Sequence, residues 1–434
     1  MNPLEMACRV CLAPLNTAGD PPTYLHPLRL ENPGHRPEPV PVGELDTVAR
    51  LCDFCGDPYP VWALSGSSQI AAISINPSDQ AGRLLQNFGD TWAACTACEA
   101  DLADHHPDRT TDRACRTLAF AKPGPGWDSI RQLHQAFVTS RQPGRTLITT
   151  TAWPPGPIPA RLLPKIRDRL AGLYRGHDRL PPALALNHAR GVVADSLDRA
   201  RLYWIDPQFS NIAGHAATQL PAVTLDQHLP PRPDGLLAWA TPVSTQQVAA
   251  ASWTSTDDEM TIVMYRAIGA DLPERPLQRL RNQVGWLTPI RVARARPGHT
   301  QLDATHPLAA LVSTWLLIAQ QIATEAPADI DKATRAHYRR QHRPPPDVRV
   351  VRLRRPRPTP GQAPHPPSPA THAGRAYTIR FWVTGHWRNQ PYGPGRSLRR
   401  PVYINPFLRG PHDAPIKAST TVRALTQRPT ADQR

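Results

Sequence analysis

The sequence predicts an α+β, multidomain chain: a cysteine-rich N-terminal module, a mixed central domain and a small basic C-terminal β module. Three observations carry this. All seven cysteines fall within residues 1–120, six of them as C-x-x-C pairs. Residues 121–330 carry both helical and strand-like hydrophobic periods. Residues 332–434 hold 21 Lys/Arg against 3 acids, a net of +18, whereas residues 1–331 net −3, so the +15 excess of the whole chain sits in its last quarter. The hydrophobic fraction of 40% excludes a wholly disordered chain, and 52 prolines in 434 residues imply linkers or tails beside the packed parts. The expected divisions are 1–120, 121–330, a basic Pro/Arg-rich linker at 331–375, the β module at 376–416, and a disordered tail at 417–434.

The N-terminal module is read from its cysteines. Cys8–Cys11, Cys52–Cys55 and Cys95–Cys98 each place two thiols on one tight turn, the geometry that lets both reach a single tetrahedral ion. Disulfides and a redox pair are the rival readings. The first is at odds with the lack of an apolar secretory segment, and the second needs one pair in a βαβ setting. Six cysteines cannot fill two four-cysteine sites, and His26 and His35 close the count. The expectation is therefore two structural zinc ions in a zinc-ribbon-like module. Cys8, Cys11, His26 and His35 hold one ion; Cys52, Cys55, Cys95 and Cys98 hold the other. Gly56, just after the second pair, permits the positive φ of a knuckle. His105, His106 and Cys115 compete as ligands; the histidines read better as helix terminators and Cys115 as a buried thiol. Four protein ligands per ion would leave no position for a catalytic water.

In the central region, Ile130, Leu133 and Phe137 share a helical face within 128–138, and 160–174 continues in similar style. Arg201–Asp206 and Gly235–Ala240 are short aromatic runs that read as strands. Residues 248–266 are open between a helix starting at Thr256 and a hairpin with its turn at 254–259; the Thr, Ile, Val and Tyr content favours the hairpin. Pro307–Ala323 reads as a buried helix, apolar almost all round and too short for a bilayer.

The last quarter carries the charge. Ten Lys/Arg against a single acid in 332–357 suit a polyanion-binding arm or a solvated linker. Val348–Arg354 alternates in part and could form a strand. Tyr377–Val383 alternates clearly, with Val402–Ile404 as its expected partner and Gly393–Gly395 in the connection. His386, Trp387, Arg388, Tyr392, Arg396, Arg399 and Arg400 interleave aromatic rings with arginines, as single-stranded nucleic-acid sites do. The same composition suits a protein interface. His386 as a general base would make a nuclease, but the nearest further groups, His412 and Asp413, are few for that chemistry.

Two sets of motifs resemble known proteins. Cys8-x-x-Cys11, Tyr24-Leu-His-Pro27, Pro39-Val-Pro-Val42, Cys52-Asp-Phe-Cys55 and Gly89-Asp-Thr-Trp-Ala-Ala-Cys-Thr-Ala-Cys98 resemble uncharacterised zinc-binding proteins of actinobacteria. Gly385-His-Trp-Arg-Asn-Gln-Pro-Tyr-Gly393 with Arg399-Arg-Pro-Val-Tyr-Ile404 is similar to a module of actinobacterial and phage proteins. The motifs cover about a third of the chain; the resemblance implies a shared architecture and no established activity.

No P-loop, G-x-G-x-x-G, G-x-S-x-G or H-E-x-x-H string occurs. The expectation is a cytoplasmic, zinc-binding, nucleic-acid-binding protein, regulatory or tied to a mobile element. A protein-interaction adaptor using the zinc module is the first alternative and a nuclease acting through His386 the second; an enzyme is the less favoured class. Neither a membrane partner nor a small-molecule cofactor is expected.

Overall fold

The computed structural model describes residues 6–18, 21–26, 34–74, 84–186, 188–256, 258–354, 378–411 and 415–417. Strand β1 (Met6–Cys8) leads into the first cysteine turn, and β2 (Asn16–Ala18) with β3 (Thr23–Leu25) forms a short hairpin. β4 (Pro39–Pro41) returns to lie antiparallel to β1. Then come two long antiparallel strands, β5 (Trp62–Ser74) and β6 (Leu84–Ala94). Helices α1 (Thr96–Ala103), α2 (Pro107–Thr117) and α3 (Pro125–Ser140) follow, and β7 (Thr146–Leu147) joins the far edge of β5.

The central part is one seven-stranded sheet. Its elements are α4 (Leu163–Arg175), α5 (Arg190–Arg199), β8 (Arg201–Ile205), α6 (Pro207–Ala217) and the two-residue β9 (Val223–Thr224). Next are β10 (Asp234–Val243), β11 (Val248–Ser255), β12 (Met260–Ala267), α7 (Glu274–Gln283) and β13 (Leu287–Ala295). β14 (Gln301–Leu302) pairs with β9, and α8 (Ala309–Ile318), β15 (Ala323–Pro327), α9 (Lys332–Arg340) and β16 (Val348–Leu353) complete the set. The strand order is β13-β12-β11-β10-β8-β16-β15. β8 runs parallel to both its neighbours, and the remaining pairs are antiparallel.

Alternation along these strands fills two cores. Leu236 and Ala238 of β10, with Val263 and Tyr265 of β12, pack on α4 and α5. Leu237, Trp239, Ile262 and Met264 face the other way, onto α6 and α8. This is the period of two expected of a sheet covered on both sides. The first core runs on through Trp62, Trp92 and Phe137 to Cys52 and Cys95, so the cysteine-rich region and the sheet share one apolar interior across residue 120.

Several expectations hold and several need correction. The chain is α+β. β11 and β12 form the hairpin, in place of a helix from Thr256. The buried helix is shorter than Pro307–Ala323: α8 stops at Ile318, and Ala323 opens an edge strand. Just past the helix end, the Gln320 side-chain carbonyl accepts the backbone N–H of Tyr403 at 3.1 Å. The segment expected as linker from 331 contains α9 and β16, and β16 lies inside the sheet between β8 and β15. Val350 and Val351 are buried on its two faces, which alternation of Val with Arg had only hinted at.

At the C-terminus β17 (Phe381–Val383) pairs with β20 (Phe407–Arg409), and β18 (His386–Tyr392) with β19 (Leu398–Ile404). Val402–Ile404 therefore partners His386–Arg388 and not 377–383, because the turn at 393–397 sets the register. Gly393–Gly395 is in that turn, as expected. Tyr377 and the expected tail from 418 lie outside the described residues.

Candidate metal centres

The first cysteine turn is a knuckle. Leu12 N–H returns to the Cys8 carbonyl at 2.8 Å, and Cys8 N–H donates to the Ala13 carbonyl at 2.9 Å. Cys8 ends β1, His26 directly follows β3, and His35 lies shortly before β4, so the short pairings of the region deliver three of the four side chains. The ligand atoms of Cys8, Cys11, His26 and His35 all lie within 4.8 Å of one another. Cys8 Sγ is 3.3 Å from His35 Nε2. The His26 and His35 rings meet edge to face at 4.8 Å, and His26 Nε2 is buried with no hydrogen-bond partner among the described residues. Burial pushes the Cys8 thiol up, but hydrogen bonds from the backbone at Glu38 and Cys11 help bring it down to about 5.

The second centre is more deeply set. Cys52, Cys55, Cys95 and Cys98 are all buried, and their sulfurs lie within the same 4.8 Å limit. Gly56, at φ +75°, closes the 52–55 turn by donating to the Cys52 carbonyl at 2.8 Å. Asp53 locks that turn to β6: its N–H donates to the Ala93 carbonyl at 2.8 Å, and its carboxylate accepts the Ala93 N–H at 2.6 Å. β6 then ends, Cys95 becomes the N-cap of α1, and Cys98 sits in the first turn. A helix N-terminus favours thiolate. Arg113 of α2 points at Cys98 Sγ from 3.6 Å and pairs with Asp101.

Both donor sets fit a tetrahedral divalent ion. Bonds of about 2.3 Å to sulfur imply an S–S edge of about 3.8 Å in a tetrahedron, and Cys55 Sγ is 3.8 Å from Cys95 Sγ. The thiols alone are poorly matched to one another. Burial, and then the neighbouring thiols, push Cys52 well up, while hydrogen bonds from Cys52, Cys95 and Cys98 pull Cys55 down. A cation stabilises all four sulfurs as thiolates together. The seven cysteines are free of disulfides. Nitrogen and sulfur donors, four to a set, make these candidate structural centres, with Cys115, His105 and His106 in neither group.

One supporting residue escaped the sequence reading. His134 of α3 is 1% exposed and is bonded to the Phe54 backbone inside the 52–55 turn; its other nitrogen, Nδ1, is 3.0 Å from Thr111 Oγ1. Burial, opposed by the Phe54 bond, lowers it to about 4. Its signal was available: His134 stands on the apolar stripe of Ile130, Leu133 and Phe137.

The C-terminal residues divide. Trp387 is half-buried: its indole N–H donates to the Ala216 carbonyl at 2.8 Å, and its ring meets Tyr403 edge to face at 5.3 Å. It anchors the hairpin on α6 and α8, so it is no free stacking platform. His386, Arg388, Tyr392, Arg396, Arg399 and Arg400 are exposed. His386 Nδ1 is 3.0 Å from the Thr384 carbonyl, and Arg400 lies over the Tyr392 ring at 5.3 Å. His412 and Asp413 lie outside the described residues. Among the described residues no helix is long and apolar enough to cross a membrane. Comparison with known protein families, with curated proteins and with solved structures finds no match to this chain.

Proposed function

We propose that the chain is a zinc-stabilised nucleic-acid-binding protein in which two structural ions brace the fold and the C-terminal hairpin contacts phosphate. The carrying observation is the hairpin's charge. Residues 378–411 contain six arginines and neither Asp nor Glu. Arg388, Arg396, Arg399 and Arg400 are exposed on it, while Trp387 and Tyr403 fasten it to the central sheet domain. Guanidinium groups on a docked hairpin suit the release of counterions from a phosphate backbone. Zinc is the ion favoured by two sets of four nitrogen and sulfur donors. Each ion would be held by its four side chains with no position left for water, so its contribution is to fold and not to reaction chemistry.

The test is titration of the full chain with labelled nucleic acid at rising salt. The reading requires affinity to fall by orders of magnitude between about 50 and 200 mM salt. Arg396→Ala, Arg399→Ala and Arg400→Ala combined should weaken all sequences about equally, since phosphate contacts carry no base information. Binding that ignores salt, or none, would move the adaptor reading to first place.

A further inference from the structure

The two C-terminal strand pairs are one hairpin. Val383 stands opposite Phe407 and His386 opposite Ile404. Two residues on each strand separate these pairs, so the register passes through the gap unchanged. At the gap, Gly385 is required by close approach: a Cβ there would strike the Tyr403 hydroxyl and come within 3.0 Å of Pro406 Cδ. The strands thus run as one ribbon from Phe381 to Tyr392 and back from Leu398 to Arg409.

Alternation along a single register sorts the side chains. Trp387 and Tyr403, directly opposed, face the α6 and α8 side. Trp382, His386, Arg388 and Tyr392 fall on the other face, together with Leu398 and Arg400 from the return strand. Exposure agrees: Trp382 is 50% exposed, Leu398 49% and Tyr392 40%. An indole at one end and a phenol at the other, with arginines between, cover about 33 Å of ribbon at the usual rise per residue.

We propose that this outer face is a track for an unpaired nucleic-acid strand, with bases stacking on Trp382 and Tyr392 and phosphates held by Arg388 and Arg400. The inference rests on the nucleic-acid reading above and narrows it to single strands. Duplex phosphates need only the arginines, and bases already stacked in a duplex cannot use exposed rings. Arg400 seated over Tyr392 pre-orders a phosphate donor beside a stacking face. The lack of any acid in 378–411 favours a polyanion over a protein partner for the same apolar face.

The experiment uses the full chain, fluorescence anisotropy, and three probes: oligo-dT, oligo-U and a mixed duplex of about 20 units at about 100 mM salt. Trp382→Ala and Tyr392→Ala should each weaken binding of the single strands about tenfold and leave the duplex within about twofold. Trp382→Phe, which keeps a ring, should recover most of the loss, while circular dichroism and metal content confirm that each variant folds. Arg388→Ala should weaken all three probes. Equal losses on single strand and duplex, or none from either ring variant, would overturn the inference and leave the wider reading intact. No binding of any probe would remove both. Tight binding of only one single-stranded probe keeps the track and assigns it to DNA or to RNA.

Discussion

Trp387 donates its indole N–H to the carbonyl of Ala216 across 2.8 Å, joining residues 171 positions apart. The bond ties the C-terminal ribbon to the last turn of α6 and removes that ring from the exposed face. Trp387→Phe should cost about 1 kcal/mol, the worth of a typical hydrogen bond. Trp387→Ala also gives up a large half-buried ring and should cost about 3 kcal/mol. Urea unfolding measures both, and limited trypsin digestion should cut 378–411 sooner in the Ala variant. An Ala variant as stable and as resistant as the parent would mean that the docking contributes little.

The two metal centres should differ in what their loss does. Elemental analysis is expected to return two zinc ions per chain. Cys8→Ser should lose one ion and leave the melting temperature nearly unchanged, because that centre sits beside the main core. Cys52→Ser should lose one ion and lower the melting temperature strongly, because Cys52 and Cys95 belong to the interior shared with the sheet. Equal shifts in the two variants would contradict the placement.

His134 makes the fold acid-sensitive. Its folded pKa of about 4 lies below the ordinary 6.5, chiefly through burial. Between those values the unfolded chain binds a proton and the folded chain does not, so stability rises with pH there. The contribution is full above about pH 6.5 and is lost as pH falls toward 4, up to about 3 kcal/mol. Metal release also destabilises in acid, so the quantity to compare is the difference between parent and His134→Gln. The variant should show a shallower decline over this window; parallel curves would exclude the assignment.

Arg145 is the expected weak point of the junction between the modules. It bonds Glu99 of α1 at 2.7 Å and Asp178 at 2.8 Å, and lies over the Trp62 ring at 3.9 Å. Burial raises the Glu99 carboxyl and Arg145 opposes it. Arg145→Met takes the guanidinium from that buried acid, leaving it the Gln283 amide at 3.3 Å, and should cost about 3 kcal/mol. Glu99→Gln should cost less, and adding it to Arg145→Met should recover part of the loss. A double-mutant cycle by chemical denaturation that showed simple additivity would count against the coupling.

The centres were more legible than the fold. Paired cysteines with a fixed two-residue spacing carry their geometry in the sequence, and the histidine count completed them. β8 and β11–β12 were readable because short runs rich in Val, Ile, Tyr and Trp suit a pleated sheet. β16 was obscured by the arginines among its valines, since Arg349 pairs with the Asp347 carboxylate and Arg352 is exposed while Val350 and Val351 turn inward. The pairing of β18 with β19 depends on the turn between them, which hydrophobic pattern does not encode. Arg145 and Glu99 are distant in sequence, and no local period signals an ion pair.

The position of β16 has a consequence for how the protein is made. β8, completed by residue 205, is an interior strand of the sheet, yet one of its two partners begins only at Val348. During synthesis at a ribosome's pace of about 5–20 residues per second, β8 waits about 7–30 seconds with one hydrogen-bonding edge bare. The exposed edge belongs to a parallel pairing, the kind that forms slowly. A chain that stops before residue 348 would leave that edge open for good, which makes the interval between Ile205 and Val348 the stretch where a chaperone or a premature stop would matter most.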